Sequence, residues 1–85
     1  MKGYVLIEYS RYGNYYNVYS TRKDAEKVFI KVVKNIGKIL NDPEILASDQ
    51  DDMEELATGG CYSFNGELIL EIAACGININ FNNFV

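Results

Sequence analysis

Histidine is absent from the chain, which removes the commonest general base and the commonest transition-metal ligand together. The groups left with chemical potential are two thiols, Cys61 and Cys75, and a crowd of carboxylates. No Cys-x-x-Cys, Gly-x-Gly-x-x-Gly or Walker loop occurs, and neither Ser nor Cys has an imidazole to activate it. Asp49-Gln50-Asp51-Asp52 opens as a calcium loop does, but Glu54 stands where the sharp turn needs Gly, and Gly60 where a bidentate Glu should close the shell. No catalytic residue, metal or cofactor is therefore expected, and the chain reads as a protein that works by binding.

Its charges are sorted along the sequence. All eight Lys and Arg residues lie in the first 38 positions against only Glu8, Asp24 and Glu26, a formal charge of +5. From Ile39 to Val85 there are nine carboxylates and no cation. Seven of the nine fall between Asp42 and Glu55. Two surfaces follow. Asp49, Asp51, Asp52, Glu54 and Glu55 form an acidic row that would suit a basic groove on a partner, much as a phosphate row does; the plainer account is a solvated helix start, where Asp favours the positive end of the dipole. Lys23, Lys27, Lys31, Lys34 and Lys38 recur at helical spacing and would suit the phosphates of a nucleic acid. The plainer account there is the solvated back of an amphipathic helix, and no aromatic side chain interleaves with the lysines for base stacking.

The elements that must position these groups are legible from periodicity. Residues 4 to 10 and 15 to 20, rich in Tyr, Val and Ile, read as a hairpin turning at Gly13-Asn14, which pairs positions whose numbers sum to 27. Val5, Ile7, Tyr9, Tyr16 and Val18 then share one face, expected to be the core, and Tyr4, Leu6, Glu8, Tyr12, Tyr15, Asn17 and Tyr19 share the other. Thr21 with Asp24 reads as a helix cap, and Ala25, Val28, Phe29, Val32, Val33, Ile36 and Leu40 follow at helical spacing until Asn41-Asp42-Pro43. Ser48 with Asp51 opens a short acidic helix whose stop is Gly59. Asn65-Gly66 joins Cys61-Tyr62-Ser63-Phe64 to Glu67 through Ile72 in a second hairpin, paired so that numbers sum to 131. That register sets Cys61 against Leu70 and turns Tyr62, Phe64 and Ile69 away from Leu68, Leu70 and Ile72. It also leaves the cysteines apart, so reduced thiols are expected. Ile77-Asn78-Ile79-Asn80-Phe81 alternates as an edge strand would, and residues 77 to 85 form that strand or a frayed tail.

Assembled, residues 1 to 85 form one α+β domain: an antiparallel sheet of four or five strands with one long amphipathic helix on one face and a short acidic helix, in the order ββααββ. Phe29 and its helix neighbours Ala25, Val28, Val32, Val33 and Ile36 should pack on Val5, Ile7, Val18, Leu68, Leu70 and Ile72. The opposite sheet face would expose Tyr4, Leu6, Tyr12, Tyr15, Tyr19, Tyr62, Phe64 and Ile69, rimmed by Glu8, Glu67 and Glu71. A greasy middle with a polar edge is the anatomy of an interface, unless a second helix covers it. A homodimer through this face or through Ile77 to Phe81 is expected, because a small domain gains by hiding apolar surface.

In size, acidity, lack of catalytic groups and a Tyr-, Asn-, Ile- and Lys-rich composition, the chain resembles the small proteins that bacteriophages encode to disable host defences, many anti-CRISPR proteins among them. The resemblance implies a stoichiometric inhibitor or adaptor that occupies a host protein, often at a nucleic-acid-binding surface, and its basic first half departs from a pure DNA mimic. The expected partner is thus a host protein, met through the acidic segment, the aromatic face or both, with direct nucleic-acid binding through the lysines as the alternative. No apolar run approaches the ~20 residues that span a bilayer, and Glu8 breaks the apolar N-terminal stretch too early for a signal peptide. A soluble protein of the cytoplasm is expected, with no membrane partner.

Overall fold

A computed structural model describes residues 2–76 as an α+β unit in which four strands form one antiparallel sheet and three helices form a layer on one of its faces. The elements run β1 (Lys2–Glu8), β2 (Tyr15–Tyr19), α1 (Arg22–Leu40), α2 (Pro43–Ala47), α3 (Gln50–Gly59), β3 (Cys61–Phe64) and β4 (Glu67–Gly76). The order is therefore ββαααββ, with one helix more than expected. The sheet order β2-β1-β4-β3 places both hairpins side by side, with β1 and β4 at the centre. The expected fifth strand from Ile77 to Phe81 lies outside the described residues.

Local chemistry accounts for the helix ends. Thr21 accepts from Asp24 N–H at 3.2 Å to start α1, and Asn41 ends it in the left-handed region at φ 55°. Asp42 then caps α2, whose first residue is Pro43, the position where a missing N–H costs nothing. Asp49, not Ser48, caps α3, and it exchanges hydrogen bonds with Asp52 in a reciprocal capping box at 2.9 and 3.1 Å. Ser48 instead closes α2 by donating to the Glu44 carbonyl at 2.6 Å. The stop after α3 is Gly60 rather than Gly59, at φ 76°.

The first hairpin turns wider than expected. Tyr4 pairs with Tyr19 and Glu8 with Tyr15, so numbers sum to 23 and the strands are joined by residues 9 to 14. Ser10 accepts from Gly13 N–H at 3.2 Å, the arrangement that Ser at the first and Gly at the fourth turn position favour. The shift is even, so it preserves which residues share a face. What reverses is the face that is covered: Tyr4, Leu6 and Tyr19 point to the helices, whereas Val5, Ile7 and Val18, expected as core, do not. In the second hairpin Phe64 faces Glu67 as expected, through an Asn65-Gly66 turn with both φ values positive. A bulge between Tyr62 and Ser63 then moves the register by one, setting Tyr62 against Leu70 and Cys61 against Glu71. One slipped residue exchanges faces, and Tyr62 joins Leu70 and Ile72 indoors. Leu68, at the bulge, stays 39% exposed.

The core is Leu6, Ala25, Phe29, Val33, Met53, Ala57, Tyr62, Leu70 and Ile72. From α1 it takes a stripe at every fourth residue, Ala25, Phe29, Val33 and Gly37, flanked by the half-buried Val28, Val32 and Ile36. Gly37 is where α2 crosses: a Cβ there would sit 2.7 Å from Ile45 Cβ. Phe29→Ala should lower stability by about 3–5 kcal/mol, read in denaturant melts, since Phe29 is fully enclosed. Gly37→Ala should also destabilise, by about 1–3 kcal/mol of overpacking, despite the better helix propensity of Ala. Melts that match the parent would place these residues wrongly.

Candidate functional site

Strand register defines what the uncovered sheet face presents. Residues opposite one another point to the same side, so one row across the sheet is Val18, Val5 and Ala73, and the next is Tyr16, Ile7, Glu71 and Cys61. The helices of the described residues all pack on the other face. This face is therefore apolar and aromatic with one carboxylate in it. Tyr9 donates to Glu71 Oε1 at 2.7 Å, fixing the carboxylate beside Ile7. That hydrogen bond, then partial burial, then the Glu71 charge push the Tyr9 phenol above its ordinary pKa, so Tyr9 remains a donor at neutral pH.

The aromatic set expected outside is thus divided. Tyr62 is buried, and Tyr4, Tyr19 and Phe64 are half-buried against the core; these four are not an outer interface. Tyr12, in the loop after β1, is 88% exposed, and Tyr15 is 60% exposed at the end of β2. Ile69 is half-buried beside the core. The residues that do line the open face, Val5, Ile7, Tyr9, Tyr16 and Val18, are those expected to form the core.

The acidic row is on the opposite layer. Asp49, Asp51, Asp52, Glu54 and Glu55 are all exposed on α3, whose inner side, Met53 and Ala57, is buried. Helix and open face look in opposite directions, so one flat partner surface cannot touch both. Two of the five, Asp49 and Asp52, are engaged in the capping box. Lys23, Lys27, Lys31, Lys34 and Lys38 are likewise exposed, on the side of α1 away from its buried stripe. Lys34 and Lys38 border a hollow of about 190 Å³ floored by Ile45 and Met53. Among the described residues the one ion pair is Arg22 with Glu26, at 2.8 Å, so neither charged row is internally neutralised. Cys61 is an exposed free thiol and Cys75 a half-buried one.

Sequence reasoning missed two polar links that hold the helix layer. Arg22, at the start of α1, donates through Nη2 to the Thr58 carbonyl at 2.9 Å and more weakly to Ala57, placing a cation at the negative end of α3. Tyr62 donates to Asp42 Oδ2 at 2.6 Å, while Asp42 Oδ1 accepts from Glu44 N–H at 3.1 Å. Asp42 is buried, and it joins β3 to the α1–α2 corner. The Asp-Pro pair is the signal that could have revealed α2 and its cap; nothing local could have revealed the tyrosine.

Burial first, then the Asp42 hydrogen bond and the Asp42 and Glu44 charges, push the Tyr62 phenol far above its ordinary value near 10. Because the folded pKa is raised, the stabilisation is fully present below pH about 10 and is lost as pH climbs toward the folded pKa. Tyr62→Phe leaves a buried carboxylate oxygen unpaired and should cost about 1–3 kcal/mol at neutral pH. In melts across pH the gap between parent and variant should stay constant up to pH about 10 and narrow above it. A gap that widens with alkali would contradict the assignment.

No protein-family model matches the chain, and neither a curated protein nor a solved structure does.

Proposed function

We propose that the chain is a non-enzymatic binding protein, an inhibitor or adaptor, that docks its open sheet face on another protein. The observation that supports this most directly is the two adjacent rows on the face without helices, half-buried Val5 and Ile7 beside exposed Val18 and Tyr16, with the Glu71 carboxylate held among them by Tyr9. Apolar side chains at the middle of a face supply area that gains by desolvation, and aromatic groups beside them are the residue types that anchor interfaces. A carboxylate already oriented by a phenol asks for a cation. The fitting partner is thus a protein with an apolar patch beside an Arg or Lys.

Blocking of a host protein by a phage-encoded inhibitor is the biological setting that the size and composition of the chain suggest. The acidic α3 row and the α1 lysines then act at other surfaces, or simply keep the two ends of the domain hydrated. Nucleic-acid binding through Lys23, Lys27, Lys31, Lys34 and Lys38 is the second reading, supported by the exposure of all five on one helix face.

Affinity capture from a bacterial lysate with the parent and three folded variants separates these readings. Ile7→Ala should weaken binding of the captured protein by roughly 2 kcal/mol, the size of an interface hot spot. Glu71→Gln should weaken it less and reduce its salt dependence. Lys31→Ala should leave it unchanged. Equal capture by the parent and the Ile7 and Glu71 variants would move the site off the sheet face. Tight retention of duplex or single-stranded nucleic acid at physiological salt, lost in Lys31→Ala, would favour the second reading.

A further inference from the structure

We propose that β2 is the pairing edge of a twofold dimer of this chain, strand added to strand so that two four-stranded sheets continue as one. Among the described residues the sheet has two edges, β2 and β3, and they are unequally protected. β3 is four residues long and pairs with β4 through a bulge between Tyr62 and Ser63. Shortness, bulges and covering elements are the means by which proteins keep edges from pairing. Among the described residues β2, one residue longer, pairs with β1 without a bulge. It runs Tyr15-Tyr16-Asn17-Val18-Tyr19 in regular register with β1, and its first four residues are exposed. From Tyr12 to Thr21 there is no charged residue and no Pro, the groups that otherwise guard an edge.

The self-complementarity of the strand selects a second copy as the occupant. Two identical antiparallel strands related by a twofold axis normal to the sheet bring residues of the same face opposite one another. Centred on Asn17, such a pair sets Tyr16 against Val18 of the other copy on the open face and Tyr15 against Tyr19 on the helix face. Aromatic residues opposite β-branched or aromatic ones are favourable cross-strand pairs, and no like charges meet within the strand. Tyr15, Tyr16 and Val18, at 60%, 61% and 47% exposure, gain neighbours they lack in one copy. Asn17 meets its own symmetry mate, where two amides can exchange hydrogen bonds. The helix layers fall on one side of the joined sheet, and the two open faces lie side by side as one surface, with Val5, Ile7 and Ala73 left uncovered.

Light scattering on the purified chain, with no other protein present, should give twice the chain mass of 9.6 kDa at micromolar concentration. Tyr16→Lys, which drives a charge against Val18, should weaken the dimer at least about tenfold, the scale of a lost interface anchor. With Cys61→Ser and Cys75→Ser in the background, Asn17→Cys should form an intermolecular disulfide on mild oxidation, because residue 17 faces itself across the axis. Leu68→Cys, exposed on the other hairpin, should not. The crosslink keeps the test decisive if Tyr16→Lys does not fold. A monomer throughout the micromolar range overturns the proposal and leaves the edge to a strand from another protein. A dimer unaffected by Tyr16→Lys, or one that gives no Asn17→Cys crosslink, overturns it by placing the interface elsewhere. None of these measurements depends on capture of a partner, so this inference and the proposed function fail separately.

Discussion

The ladder between β1 and β4 is the constraint on which the rest of the structure depends. Seven antiparallel pairs, from Lys2 opposite Gly76 to Glu8 opposite Leu70, join two hairpins that are separated in sequence by the whole helical segment. Without it each hairpin would be a two-stranded ribbon, which is marginal in water. Its register also chooses the core. By placing Leu6 beside Ile72 and Glu8 beside Leu70, it assembles on one face the side chains that Phe29 and Val33 cover. Closing so long a loop costs entropy before any contact repays it, and the burial of Leu70 and Phe29 is what offsets that cost.

The helix layer is held to this sheet by apolar packing and by two polar links of different character. Arg22 reaches the last carbonyls of α3, so the start of one helix fastens the end of another. Tyr62 reaches Asp42, and this bond is enclosed. A buried phenol and a buried carboxylate are each costly alone and tolerable together. The pair therefore ties the position of β3 to the corner between α1 and α2. It also explains why an aromatic residue with a hydroxyl, and not Phe, stands at position 62.

Among the described residues, helices cover one side of the sheet only. The other side combines Val5, Ile7, Val18 and Tyr16 with a single oriented carboxylate at Glu71, and it continues to an edge strand without charges. The charged rows on α1 and α3 belong to the opposite layer. Charge segregation along the sequence thus becomes segregation between neighbouring helices, while the face suited to desolvated contact is nearly neutral.

Sequence alone determined the elements whose signals are local. The Thr21 cap and the spacing of Ala25, Phe29 and Val33 mark α1, Asn65-Gly66 marks the second turn, and period-two alternation marks which residues of the first hairpin share a face. These follow from backbone sterics and capping, which act within a few residues. Only the tertiary structure decided which face is inside. The set Val5, Ile7, Val18 is at least as apolar as Tyr4, Leu6, Tyr19, and the latter shares its face with Glu8 and Asn17, so alternation favours the wrong side. Pairing with β4 and the bulge that rotates Tyr62 inward reverse that preference; the first depends on contacts more than sixty residues apart in sequence, and the second on a register shift within the β3–β4 hairpin that its turn does not announce. Which aromatic side chains are exposed is consequently not legible strand by strand, because exposure is a property of the assembled sheet and not of any strand taken alone.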